Sequence, residues 1–259
     1  MCKVLGIARS TLYYKGKGRT VDTALENAVI EEFRMSRNNY GTRKLRIVLR
    51  RRGFRVSRRR IGSIMRKYNL MSNYTVRQKR KKKSTVNEDA TGNILQRQFS
   101  DRQRYEAVVS DLTYVKIGGR WCYLCLLIDL CGRKIIGSAV GSRKDAKLIE
   151  QAFYSIEADL RLINIFHTDR GSEFKNLVIE QLLTAFGIER SLSAKGTPTD
   201  NAVAESMYNI IKTEFIFQQE FADLAEFKLL LFDYINWYNN IRIHGSLGYQ
   251  TPSQRHTSA

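Results

Sequence analysis

No stretch of this sequence is long and apolar enough to cross a bilayer. The longest uninterrupted apolar run, Trp121 to Ile128, falls far short of the roughly 20 residues a spanning helix needs. The segment after Met1 does not read as a secretory leader, so the four cysteines are expected to be reduced thiols in a cytosolic setting. Heptads long enough for a coiled coil are absent. Acidic residues are nearly missing from positions 1–100, which hold 6 Asp and Glu against 26 Lys and Arg, a net +20. Residues 101–259 hold 19 against 18, a net −1. What is present is a globular balance, 43% hydrophobic and 27% charged, and 259 residues suffice for two domains. The overall +19 therefore sits in one module, and a polyanion held by that module is the natural partner. An anionic membrane surface competes poorly, because the basic segments lack the aromatic-rich apolar face of a surface helix.

Within the basic module, Leu5 to Tyr14 has the pattern of the turn and second helix of a helix-turn-helix, with Gly6 in the turn. A frayed N-terminal arm fits the same letters. Residues 41–70 are more explicit. Leu45, Val48 and Leu49 form one apolar helical face, Gly53 breaks the segment, and Ser57 is placed to cap a second helix. Ile61, Ile64, Met65 and Tyr68 resume helical spacing. Arg58, Arg59 and Arg60 then fall at that helix start, where recognition helices meet base edges or phosphates. The competing reading is a small bundle with a solvated basic face. Arg77 to Lys83 (RQKRKKK) and the polar residues after it read as a flexible basic linker, although a nuclear-localisation signal uses the same letters.

From Ala107 the period changes. Ala107 to Val115 alternates as a strand, Gly118-Gly119 signals a hairpin, Trp121 to Ile128 reads as a buried strand, and Arg133 to Val140 as a third. Lys144–Leu160 is expected to be helical, Leu162–Phe166 a strand, Phe174–Phe186 a helix, Ile188–Leu192 a strand and Asp200–Phe217 a helix. The order β-β-β-α-β-α-β-α predicts an α/β domain in which helices cover a mixed sheet. Leu224, Phe227, Leu231, Tyr234, Ile235 and Tyr238 mark one more amphipathic helix.

Three carboxylates stand where such a fold gathers side chains. Asp111 follows the valines of the first strand, Asp169 follows the fourth strand, and Glu205 lies one turn into a helix. Three convergent carboxylates suit a pair of hard divalent cations, which can polarise an attacking oxygen and stabilise a leaving one in phosphodiester chemistry. Lys212, two turns after Glu205, shares its helix face and could hold a DNA phosphate. Spacing alone leaves open that these are three acidic residues among many.

The residues around these positions resemble a known family. Ser-Asp-Leu-Thr-Tyr around Asp111, His-Thr-Asp-Arg-Gly-Ser-Glu-Phe around Asp169, and Asp-Asn-Ala-Val-Ala-Glu-Ser from Asp200 to Ser206 are similar to the signature blocks of DDE transposases of bacterial insertion sequences. The second-frame (OrfB) proteins of the IS-three family, related to retroviral integrases, match best; Tyr40-Gly41 and Tyr238 to Tyr249 extend the match along nearly the whole chain. The resemblance implies a ribonuclease-H-like mixed sheet flanked by helices, preceded by a small all-α module of helix-turn-helix type. It implies a partial helix-turn-helix at 1–20, a basic helix-turn-helix-like domain at 24–75, a linker at 76–104, a catalytic core at 105–220 and a C-terminal helix and tail at 221–259. Asp111, Asp169 and Glu205 would be the catalytic and metal-binding triad for two Mg²⁺ (or Mn²⁺) ions. Lys212 would contact DNA beside Arg58, Arg59 and Arg60, with His167 and Asn201 as supporting groups. Implied partners are double-stranded DNA at element ends and target, further copies of the chain on that DNA, and an upstream-frame (OrfA-like) partner or fusion, all in a bacterial cytoplasm at the nucleoid and without a membrane. The family commonly carries Arg-Pro-His where this chain has Arg242-Ile243-His244, which puts the shape of that loop in question.

Other residues read more plainly. Asp129 is expected in a turn or an ion pair and Asp200 as the cap of the Glu205 helix, while Glu173, close in sequence to Asp169, is expected either to support it or, more simply, to be a solvated surface residue. Cys122 and Cys125 would point to opposite strand faces and are expected to be buried thiols rather than zinc ligands. Trp237 and Tyr238 are expected in the core.

Overall fold

The computed structural model describes residues 2, 4–8, 10, 13–14, 22–75, 93–96, 98–99, 102–171, 173–194 and 198–258. Arg9, Thr11 and Leu12 of the Leu5–Tyr14 motif and the whole of the Arg77–Lys83 run lie outside the described residues.

Three helices form the first module: α1 (Thr23–Met35), α2 (Thr42–Arg51) and α3 (Arg58–Lys67). Asp22 caps α1 by accepting from the Leu25 amide, and Ser57 caps α3 by accepting from the Arg60 amide at 3.2 Å. Gly53, at φ +90°, makes the break between α2 and α3 that an L side chain would resist. Leu25, Val29, Phe33, Leu45, Leu49, Ile61 and Ile64 meet in one small core. With its apolar stripes turned inward, α3 leaves Arg58, Arg59 and Arg60 exposed on its first turn.

The second domain is a five-stranded sheet in the order β3-β2-β1-β4-β5. Its strands are β1 (Ala107–Ile117), β2 (Arg120–Asp129), β3 (Lys134–Gly141), β4 (Ile165–Thr168) and β5 (Glu189–Leu192). β1, β2 and β3 form an antiparallel meander, whereas β4 and β5 run parallel to β1. Gly118 and Gly119, both at positive φ, close the β1–β2 hairpin. Helices α4 (Ala146–Tyr154) and α5 (Leu177–Phe186) cover one face of the sheet. Helices α6 (Ala202–Glu214) and α7 (Leu224–Asn240) cover the other. A short helix, α8 (Pro252–Thr257), follows a Thr251–Gln254 capping box. The alternation along β1 sorts Val108 to the α4–α5 side and Val109 to the α6–α7 side. Cys122 and Cys125 divide in the same way, and burial pushes the Cys125 thiol up to about 12.

Several boundaries differ from those expected. α4 stops at Tyr154 instead of Leu160, because Ser155 folds its hydroxyl back on the Ala152 carbonyl and competes with the helix. A 3₁₀ turn then occupies Leu160–Leu162, and β4 begins only at Ile165. α5 starts at Leu177, where the Asn176 side chain caps the Val178 amide, and not at Phe174. The strand from Trp121 is not buried throughout: Trp121 is 59% exposed near the hairpin end and packs edge-on against Tyr114.

Residues after α7 tie both domains together. Ile243 enters the core of the first module, and its amide donates to the Tyr40 hydroxyl at 2.8 Å. A proline there would lack that donor, so the departure at residue 243 has a structural use. The indole of Trp237 donates to the Met35 carbonyl, and Arg37 pairs with Asp233 at 2.6 Å. Trp237 and Tyr238 are core residues, as their spacing implied. Asp129 is fully buried and accepts from Tyr105, Cys131 and the His256 ring.

Two buried histidines make the fold acid-sensitive. Burial lowers the pKa of His167, and burial with the charges of Arg242, Lys44 and Arg133 holds His244 down at about 2. The unfolded chain protonates both near the ordinary 6.5, whereas the folded chain does not. Their contribution is therefore complete above that pH and is lost as pH falls below it. Thermal unfolding between pH 7.5 and pH 5 should show a falling midpoint, with a shallower fall in His244→Gln. An identical acid limb in both proteins would contradict this.

Candidate active site

Asp111 and Asp169 reach the same place by register. β1 and β4 pair through Val109 and His167, and each aspartate lies two residues beyond that pair. Asp111 is buried, and its Oδ1 accepts from the Leu112 amide at 2.7 Å. Asp169 is half-buried, and its Oδ1 accepts from the Gly171 amide at 3.0 Å.

The start of α6 lies against β1 at Ser110 and Asp111. Asn201 donates from Nδ2 to the Ser110 carbonyl at 3.1 Å. Tyr208 donates to the Asp111 carbonyl at 2.5 Å and accepts from the Leu126 amide. Glu205 is four residues after Asn201 and three before Tyr208, so helical spacing sets it on the same side of the helix. Lys212 continues this face, with its ammonium 5.6 Å from the centre of the Tyr114 ring. Asp200 does not cap α6. It turns back and accepts from the Ala194 amide at 2.9 Å, while a 3₁₀ turn through Asn201 leads into the helix at Ala202.

Glu173 is also not the surface residue expected. It is 6% exposed and pairs with Lys144 at 2.8 Å. A Cβ on Gly171 would stand 2.4 Å from its Oε1, so any other residue there would force this carboxylate to shift. Burial pulls the Lys144 pKa down, but Glu173 and the fields of Asp169 and Asp111 outweigh this and leave it raised. Sequence spacing could not reveal Lys144 as the cation of this cluster, because it enters from the loop before α4. His167 has both ring nitrogens engaged, by Ser191 at 2.8 Å and Ser193 at 3.2 Å.

The donor set is all oxygen, which suits a hard divalent cation. The side-chain Oδ1 of Asn201 is buried and has no hydrogen-bond partner among the described residues, an acceptor still available beside Asp111. Among the described residues no three His, Cys, Asp or Glu side chains are close enough to enclose an ion. The residues thus fit a divalent ion chemically without forming a closed cage. No described helix is long and apolar enough to cross a membrane.

Known proteins share this plan. The family described as Integrase core domain matches residues 101–198, a second family of the same description matches 186–252, and the HTH-like domain family matches 20–81. The chain is therefore an integrase-core protein with a helix-turn-helix-like module in front. Its homologues are transposases of IS3-family insertion sequences, at 28–29% identity over most of the chain. The transposase InsF for insertion sequence IS3A of Escherichia coli strain K12 is 28% identical over 271 residues, covering 98% of this chain and 92% of that protein. The transposase for insertion sequence element IS904 of Lactococcus lactis subsp. lactis strain IL1403 is 29% identical over 226 residues, covering 85% and 88%. The simian T-cell lymphotropic virus intasome in complex with PP2A regulatory subunit B56 gamma contains a chain with the same fold. The TM-score is 0.52 at 14% identity, covering 90% of this chain and 74% of that one.

Proposed function

We propose that this chain is a transposase that cuts DNA at the ends of an insertion sequence and transfers the freed strands to new sites. The observation that carries the reading is that the β1–β4 register sets Asp111, within β1, level with Asp169, just past the end of β4, while Asn201 and Tyr208 tie the helix bearing Glu205 to β1 at Ser110 and Asp111. These three carboxylates would hold two Mg²⁺ or Mn²⁺ ions, which supply Lewis-acid stabilisation of the attacking and leaving oxygens when bound. Asn201 and Tyr208 position the strand that carries Asp111. Lys212 holds a phosphate of the bound strand from the same helix face. Water attacks a phosphodiester at an element end and leaves a 3′-hydroxyl, which then attacks a second phosphodiester. No covalent protein intermediate is needed. At least two copies act together, since two ends are joined to one target, and an upstream-frame partner would add specificity for the ends. The setting is the bacterial nucleoid.

The full-length chain, incubated with Mg²⁺ and duplexes carrying the inverted repeats that flank its gene, should yield nicked ends and joined products. Hydrolysis without joined products would reduce the chain to a nuclease. Arg58, Arg59 and Arg60 lie exposed on the first turn of α3, where they can meet phosphates or base edges. Replacing all three with glutamine should weaken DNA binding and lower the slope of log affinity against log salt by up to about 3, one for each phosphate left without its arginine. An unchanged slope would make them solvated bystanders.

A further inference from the structure

We propose that the cavity where the first module, the core and the tail meet is a binding site for one phosphate group of the DNA backbone. The cavity measures about 160 Å³; its polar lining is Lys44 of α2, Arg133 of the β2–β3 turn, Ser206 of α6, and Arg242, His244 and Ser246 of the tail, and apolar or aromatic side chains of β2, α6 and α7 form much of the rest. Among the described residues no carboxylate lines it. Arg242 is already satisfied by Glu214, at 2.6 Å. Lys44 and Arg133 make no ion pair among the described residues; Lys44 rests 5.1 Å from the centre of the Tyr40 ring. Three cations thus surround a solvent-sized space, with hydroxyl donors from Ser206 and Ser246 at its rim.

The electrostatics agree with that geometry. Burial and the Arg242 charge pull the Lys44 ammonium down to about 8, and Glu214 only partly offsets them. Burial, with these same cations, lowers the His244 pKa and keeps the ring neutral. Cations gathered in this way repel each other until an anion enters, and a phosphate would relieve the repulsion with charge-assisted hydrogen bonds. At roughly 30 Å³ per liquid water, the space holds a tetrahedral anion with some of its hydration.

The position favours DNA as the source of the phosphate, an assignment that rests on the proposed function. Lys44 lies on α2, whose Arg43, Arg46 and Arg50 are exposed, so the cavity borders a helix that offers further cations to a DNA backbone. Ser206 is exposed on α6, next to Glu205. A phosphate held here would connect the path over the basic module to the helix that bears the proposed catalytic glutamate.

Fluorescence anisotropy of the full chain with duplex DNA over a salt series tests this. Lys44→Gln and Arg133→Asn should each lower the slope of log affinity against log salt by about 1. Asparagine is chosen because Arg133 sits at φ +55°, which that residue tolerates. The double variant should lose no more slope than either single one, since both side chains hold one phosphate, and Lys44→Arg should restore it. Unchanged slopes in both single variants, with a reduced slope in the Arg58, Arg59 and Arg60 variant, would overturn this site while leaving the DNA reading intact. Inorganic phosphate provides the second arm. If it raises the thermal midpoint of the wild-type chain but not of Lys44→Gln, while the DNA slopes stay unchanged, the cavity takes free phosphate and the DNA assignment is wrong. A wild-type chain without affinity for DNA would instead overturn the proposed function.

Discussion

Asp111→Asn, Asp169→Asn or Glu205→Gln, each made singly, should abolish cutting and joining while DNA affinity stays nearly unchanged. Each substitution keeps the side-chain shape and removes one charge. The loss should exceed about 100-fold, because outer-shell partners of a metal already act on a scale of 10–100-fold. The fold should tolerate the changes. Asp169 and Glu205 are only half-buried, and an asparagine Oδ1 at residue 111 can still accept from the Leu112 amide. Binding should survive because the affinity resides in residues 1–100, with their net +20. The measurement is product formation on end-containing duplexes beside anisotropy on the same DNA. Metal-dependent cutting retained by any one variant would remove that residue from the triad.

The second large effect concerns stability. Arg242→Met should destabilise the chain by about 3–5 kcal/mol, the usual cost of leaving one member of a buried ion pair alone. The Glu214 side chain is fully buried and the Arg242 side chain is 4% exposed; they meet at 2.8 Å through Nε and 2.6 Å through Nη2. Tyr74 and Tyr234 donate to the same carboxylate. Without Arg242, two phenols would face an uncompensated charge. Burial works against ionised Arg242, yet Glu214 raises its pKa on balance, so the guanidinium keeps its charge at any working pH. Urea denaturation of the single variant and of Arg242→Met/Glu214→Gln would measure the effect, and the double should recover part of the loss. A single variant within about 1 kcal/mol of wild type would contradict the argument, since surface pairs are worth that much or less. With Tyr74 bonded to Glu214, the cluster joins the end of the first module, the end of α6 and the tail, so its loss should also loosen the docking of the two domains.

Much of this architecture is readable from the chain alone, for identifiable reasons. The strand and helix order from Ala107 onward follows from the switch between two-residue and 3.6-residue periods, which is a local property of the chain. The cap at Ser57, the break at Gly53 and the hairpin at Gly118-Gly119 are equally local: each depends on one side chain or on a single positive φ. Where the expected boundaries fail, a local competitor is the cause. Ser155 ends α4 early by bonding Ala152, and Asp200 turns to Ala194 instead of capping α6.

The sequence by itself determined the basic first module, the α/β core, the apolar faces and the acidic residues at 111, 169 and 205, because composition, period and motif are carried by neighbours in the chain. Only the tertiary structure decided which distant groups meet. The β1–β4 register brings Asp111 level with Asp169. Glu173 is buried because Lys144, from another loop, supplies its counter-charge. Lys44, Arg133 and Arg242 surround one cavity although they are separated by 89 and 109 residues of sequence. Ion pairing, burial and cavity shape depend on separation in space, and chain-local patterns carry no record of it until long-range packing closes the fold.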